Sequence, residues 1–184
     1  IVKPHTIRNL IKTFEKYPEK FNTEQLKGAT QSIDRVGIIS CQLLNPDGSI
    51  QPQGGALPTL WNIAVWWLWP FPFNIPFLPV SFEYHLQATE PFEHERLTGW
   101  VGGTAMMIRR EVIEEVGNLD ERIFMYAEDV EFCYRASKHH WDVLFTPTAQ
   151  IIHYGSASGA SKKALIGEIR GLLFMSAKHF PTWV

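Results

Sequence analysis

Val36-Gly37-Ile38-Ile39-Ser40-Cys41-Gln42-Leu43-Leu44 constrains this chain more than any other stretch. The run is mostly apolar and stops at Asn45-Pro46-Asp47-Gly48, whose Asp and Gly suit a tight turn. It reads as a buried strand followed by that turn. Helix-like and strand-like segments then alternate around it. Ile7, Leu10, Ile11 and Phe14 follow helical spacing, with Arg8, Lys12, Glu15 and Lys16 opposite. Pro4 suits the opening of that helix and Pro18 closes it. Gly99–Arg110 begins with small residues and ends as a strand, and Glu111–Val116 is a short helix closed by Gly117. A further helix is expected from Asp129 to about His140, burying Val130, Phe132 or Cys133, and Ala136. Trp141–Phe145 and Ala149–Tyr154 read as two strands separated at Pro147. Leu165, Ile169, Leu172, Leu173, Met175 and Phe180 mark a last amphipathic helix. The alternation argues for an α/β layered domain.

At 184 residues the chain suits a single domain, residues 1–184, with enough length to bury a core. Hydrophobic residues make up 45% and charged residues 20%, a globular rather than disordered balance. The formal net charge of -2 gives no bulk electrostatic case for a nucleic-acid partner. Cys41 and Cys133 offer neither metal-ligand spacing nor a disulfide framework, so a reducing cytoplasm is the simpler expectation. The chain opens on Ile1-Val2-Lys3-Pro4 without an initiator Met, and a fragment of a longer protein is expected.

Gly54 to Pro79 is the oddest region, an aromatic, proline-rich insertion over roughly 54–80. Leu60 to Trp69 is strongly apolar, and Pro70, Pro72, Pro76 and Pro79 break it short of the roughly 20 residues a spanning helix needs. It suits a helix packed on the core, an interfacial segment at a membrane surface, or a partner surface. Absence of Lys and Arg from the stretch argues against the membrane. His85 and His94 read as solvated loop histidines. Arg109 and Arg110 could meet phosphate, but two solvated arginines at a strand-to-helix corner is the plainer expectation.

The chemistry concentrates in Phe124-Met125-Tyr126-Ala127-Glu128-Asp129-Val130-Glu131. Three carboxylates within four positions suit an ordinary first helical turn, where the helix dipole is positive. They equally suit an active site.

An ordered series of motifs resembles family 2 glycosyltransferases, most of all their rhamnosyltransferase-like branch. It runs from Leu43-Leu44-Asn45-Pro46-Asp47-Gly48-Ser49-Ile50 through Trp100-Val101-Gly102-Gly103-Thr104-Ala105 and Val116-Gly117-Asn118-Leu119-Asp120-Glu121-Arg122. It continues with the acidic stretch, Trp141, Pro147 and Ile152-His153. The resemblance implies a GT-A fold, a Rossmann-like α/β domain that takes a nucleotide-sugar and a divalent metal, Mg or Mn. This chain would be its acceptor-side portion, with the nucleotide-binding part and an acidic metal motif upstream of Ile1.

By the same resemblance Asp129 is the catalytic base of an inverting transfer, Glu128 supports it, and His153 is a metal ligand. Trp100, Gly102, Gly103 and Glu131 are candidates for substrate binding. Inverting transfer needs only one base, which removes the acceptor hydroxyl's proton as its oxygen attacks the anomeric carbon. The helix terminus lowers the base's pKa and the neighbouring glutamates raise it, so sequence leaves the sign open. The expected partners are a nucleotide-sugar donor and a glycan or lipid-linked acceptor of cell-surface polysaccharide synthesis. The expected location is cytoplasmic, peripheral at the inner face of the membrane through 60–80. A glycan- or membrane-binding module that kept the fold is the alternative. A metal hydrolase lacks any His-Glu-x-x-His pair.

Overall fold

The computed structural model describes residues 1–17, 35–63, 84–86, 88–154 and 162–180. Most of the aromatic, proline-rich stretch therefore lies outside the described residues, and so does the polar segment after Pro18.

The centre of the domain is β1 (Val36–Leu44), buried at all nine positions. On one side it pairs in parallel with β5 (Asp142–Ile152). On the other it pairs antiparallel with two short strands, β2 (Ile50–Gln51) at its C-terminal end and β4 (Met106–Ile108) nearer its start. β3 (Arg96–Thr98) lies antiparallel on the far edge of β5. A strand walled in by neighbours and covered on both faces is mostly apolar, and the two polar residues of β1, Ser40 and Gln42, are each hydrogen-bonded to a carbonyl.

Side chains alternate across a strand, so β1 feeds two cores. Ile39, Cys41 and Leu43 pack with Leu144, Ile151 and the helix α1 (Thr6–Lys16). Ile38 faces the other way, toward Val143 and three helices: α2 (Arg110–Val116), α3 (Glu128–Lys138) and α4 (Lys162–His179). The register with β5 shifts at Gly37. A side chain there would stand 2.5 Å from Val112 and 2.7 Å from Trp141, so glycine lets α2 and Trp141 close on the strand.

Four sequence expectations need correction. The two late strands are one: β5 runs unbroken past Pro147. Its pairing jumps from Cys41–Thr146 to Gln42–Gln150, so Pro147, Thr148 and Ala149 form a bulge, a place where proline is tolerated. α1 satisfies carbonyls that the bulge leaves, as Thr6 Oγ1 donates to Gln150 O (2.6 Å) and Asn9 Nδ2 to Thr148 O (2.6 Å). The buried face of α1 is consequently Thr6, Leu10 and Thr13, continued by Tyr17 just after the helix, while Ile7 and Ile11 are exposed. In α4, Leu172 and Met175 are buried but Leu165 and Leu173 face outward.

Arg109 is not solvated. Its guanidinium donates to Val36 O (2.8 Å), Phe14 O (3.2 Å) and Tyr17 O (2.8 Å), and lies over the Phe14 ring (4.5 Å). It thus caps the carbonyl end of α1, where a cation is favoured, and ties that helix to β1. Both cysteines are free and buried, with their thiol pKa values raised by burial. Among the described residues no helix is long and apolar enough to cross a membrane.

Arg109→Met keeps most of the side-chain volume and removes all three charged hydrogen bonds. It should destabilise the fold by about 2–3 kcal/mol in chemical denaturation. Arg110→Met, at an exposed position, should leave the midpoint unchanged.

Candidate active site

A cavity of about 490 Å³ opens at the C-terminal ends of the parallel strands β1 and β5, where Leu43 and His153 line it. Ligand crevices of α/β sheets sit at this end of the strands. Gln51–Gly54, Tyr84–His85, Trp100, Gly102–Thr104, residues 125–130 and Glu168 of α4 form its remaining walls. Six candidates from the sequence come together here: Trp100, Gly102, Gly103, Glu128, Asp129 and His153.

Asp129 is the second residue of α3. Its Oδ2 accepts the Gly103 N–H (2.8 Å) and its Oδ1 accepts the Val130 N–H (2.8 Å). Each oxygen keeps a lone pair for a ligand. Burial raises its pKa above the ordinary aspartate value, and the Gly103 and Val130 amides offset only part of that. This gives the sign that sequence left open: desolvation wins, and the carboxylate is more basic for it. Glu128 sits beside it with Oε2 buried and no hydrogen-bond partner among the described residues. Burial raises its pKa first, and the charge of Asp129 adds to that.

The backbone that aims both carboxylates is unusual. Tyr126 (φ 70) and Ala127 (φ 71) are consecutive non-glycine residues in the left-handed region, and α3 starts without a side-chain cap. Such residues cost of order 1 kcal/mol each and need support from their surroundings. α4 supplies it. A Cβ at Gly171 would lie 2.4 Å from Tyr126 O and 2.9 Å from Ala127 Cβ, and one at Gly167 would lie 2.8 Å from the Tyr126 ring. The glycine face of α4 is therefore pressed against the left-handed pair.

Glu131 is elsewhere. Its side chain is fully buried and accepts from Arg135 Nε (2.9 Å), Lys178 Nζ (2.7 Å) and His179 Nε2 (2.9 Å). Burial pushes its pKa up, but the contacts with Lys178, His179 and Arg135 outweigh that and hold it below the usual range. Glu131 fastens α4 to α3; it does not line the cavity. Arg135 carries the link on by donating to the carbonyls of Val116 and Asn118.

His153 takes its place from the end of β5, where its N–H donates to Leu44 O (2.9 Å). Its Nδ1 lies 3.0 Å from Gln51 Oε1. If the Gln51 oxygen accepts, Nδ1 carries the proton and Nε2 keeps the lone pair a metal requires. Among the described residues no group of three His, Cys, Asp or Glu could hold a metal ion. Trp100 is 5% exposed, its Nε1–H donates to Tyr84 O (2.9 Å), and the His85 ring stands edge-on to it (5.0 Å).

Three cavity residues escaped the sequence reading. His85 is not a solvated loop residue: it bonds Glu168 of α4 at 2.7 Å. Glu168 directly follows Gly167, and Gln53 lies beneath Gly102. Helical spacing from Leu172 and Met175 could have flagged Glu168. No sequence signal marks Gln53.

Comparison with known proteins agrees with a glycosyltransferase-type domain. The family model described as "Glycosyltransferase like family 2" matches residues 76–170. The chain belongs to this family, and its mixed sheet flanked by helices is that of a GT-A-like domain. It is 33% identical over 138 residues to an N-acetylglucosaminyl-diphospho-decaprenol L-rhamnosyltransferase of Mycobacterium tuberculosis, covering 73% of this chain and 43% of the relative. An O-antigen biosynthesis protein of Myxococcus xanthus is 32% identical over 126 residues (67% and 9%). A low-salt glycan biosynthesis hexosyltransferase of Haloferax volcanii is 41% identical over 51 residues (28% and 17%). The chain spans less than half the length of each of these relatives.

Gly171→Ala should force the left-handed pair aside. The expected loss is about 1–3 kcal/mol in thermal or chemical denaturation. Leu173→Ala, on the exposed side of the same helix, should change little. Glu131→Gln should remove about 3 kcal/mol. The depressed Glu131 pKa contributes stability above its ordinary value of 4.5, lost as pH falls through the lower folded value. The variant's stability should therefore fall less steeply in acid than the parent's.

Proposed function

We propose that this chain forms the acceptor side of an inverting glycosyltransferase. It would move a rhamnose-like or other hexose from a nucleotide-sugar to a hydroxyl of a lipid-linked or glycan acceptor. The observation that carries the reading is the Asp129 carboxylate, clamped by two backbone amides in a cavity at the strand ends of a family 2 domain. A carboxylate desolvated this way is a stronger base than one in water, and orientation by the amides leaves a lone pair aimed at the ligand.

In the step itself, the acceptor hydroxyl approaches Asp129. The carboxylate takes the hydroxyl proton as the oxygen forms its bond to the anomeric carbon. The bond from that carbon to the diphosphate oxygen breaks on the opposite face, and its electron pair leaves with the diphosphate. The new linkage has inverted configuration. Glu128, whose own pKa is raised, stands next to the base as an acceptor for a second hydroxyl or, when protonated, as a donor. His153 would be one ligand of a divalent Mg or Mn ion; when bound, such an ion neutralises charge on the leaving diphosphate.

The name of the Mycobacterium relative includes N-acetylglucosaminyl-diphospho-decaprenol, a sugar on a lipid diphosphate. An acceptor of that kind suits the rim here, where Met125 lines the cavity and the neighbouring Phe124 is 91% exposed. Such a rim would meet the lipid at the inner face of the membrane. The activity would then belong to cell-envelope polysaccharide synthesis.

Asp129→Asn should lower kcat by about 10²–10⁴. Its stability should change little, because Asn strands one of the two backbone amides while it removes a buried charge. A raised carboxyl pKa favours the fold while the group is protonated and works against it as pH rises through the folded value, so at neutral pH the charge is a liability. Assayed on the intact polypeptide, full turnover by Asp129→Asn would remove the base assignment and favour the binding-module alternative.

A further inference from the structure

Gln53 follows β2 and points under the Gly102 turn. Its Nε2 donates to Cys41 O (2.6 Å) and to Ser40 Oγ (3.2 Å). The orientation of this amide follows from its partners. Cys41 O only accepts, and the Ser40 hydroxyl already gives its hydrogen to Ala105 O (2.9 Å), so Ser40 also must accept. Both amide hydrogens are thereby spent on the protein. Gln53 lines the cavity, and its Oε1 is shielded from water with no hydrogen-bond partner among the described residues. A buried oxygen left in this way favours a ligand that brings it a hydrogen.

The position relates to Asp129. Where a side chain would begin at Gly102, Gln53 Oε1 is 3.3 Å away and Asp129 Oδ2 is 3.9 Å away. The missing side chain leaves open the ground that these two acceptors share. Phosphate carries no hydrogen to give, so this end of the cavity suits hydroxyls and disfavours the diphosphate. Two acceptors bordering one spot match two hydroxyls on neighbouring carbons of a sugar ring, one for each.

We infer that Gln53 sets acceptor specificity: its Oε1 takes the hydrogen of the hydroxyl adjacent to the one that Asp129 deprotonates, so the preferred acceptor sugar carries a vicinal diol. Gln53 binds and positions; it takes no part in the proton transfer. The inference rests on the transferase reading above.

The test is equilibrium binding, without donor, of a short-chain N-acetylglucosaminyl diphospho-lipid and each of its monodeoxy forms. The protein is the intact polypeptide, as parent and as Gln53→Met. One monodeoxy form should bind the parent about 10-fold more weakly, and Gln53→Met should weaken the full acceptor by a similar factor. That same monodeoxy form should then bind Gln53→Met no more weakly than the full acceptor does. Independent factors that multiply, or no sensitive hydroxyl, would overturn the inference.

Gln53→Met also strands the Cys41 carbonyl, so Gly102→Ala provides a second route. The backbone there (φ -65, ψ 138) accepts alanine, and the new Cβ would crowd Gln53 Oε1. This variant should melt with the parent and lose the preference between the full acceptor and the sensitive monodeoxy form; an unchanged preference would also overturn the inference. Because no donor is present, these results stand apart from the base assignment, which Asp129→Asn turnover tests separately.

Discussion

The site depends on one contact, the press of α4's glycines against the left-handed backbone of Tyr126 and Ala127. Neither residue would hold that conformation in an isolated peptide, and α3 would not start where it does without it. A start one residue away would turn Asp129 by about 100° around the helix and remove it from the Gly103 amide. Helix α4 is in turn held to α3 by the buried Glu131, which Lys178 and His179 of α4 contact. Stability and aim thus share a set of contacts. Gly171 and Glu131, neither of them lining the cavity, support the backbone from which Asp129 points.

Three carboxylates in one helical turn take three different roles because their environments differ. Glu131 points inward, meets Arg135, Lys178 and His179, and stays ionised. Asp129 points into the cavity, meets two amides and no cation at bonding distance among the described residues, and has its pKa raised. Glu128 has one oxygen without a hydrogen-bond partner among the described residues. A helix dipole acts on all three alike, so it cannot distinguish them; burial and partner do.

The framework was legible wherever one physical signal dominated. The apolar run at Val36–Leu44 reads as a buried strand and is one, and α2 stops at Gly117 where its turn chemistry puts the end. The site was legible through the ordered motifs, which brought Asp129, Gly102, Gly103 and His153 to one cavity. Sequence failed where tertiary contacts override local rules. Pro147 looked like a strand end because nothing local announces a bulge docked by α1. Arg109 looked solvated because its three carbonyl partners come from α1 and β1. His85 and Gln53 gain their roles only through Glu168 and Cys41, neither of which marks them by spacing.

The central claim is that Asp129, made more basic by desolvation, removes the acceptor proton. The pH dependence of kcat/KM for the acceptor tests it most directly. Activity should rise with pH through an acid limb set above aspartate's ordinary value of 3.8, because the base must be ionised and burial opposes that. Glu128 lies beside it, so the limb belongs to the pair. A limb at or below the ordinary value, or the same limb surviving in Asp129→Asn, would contradict the account.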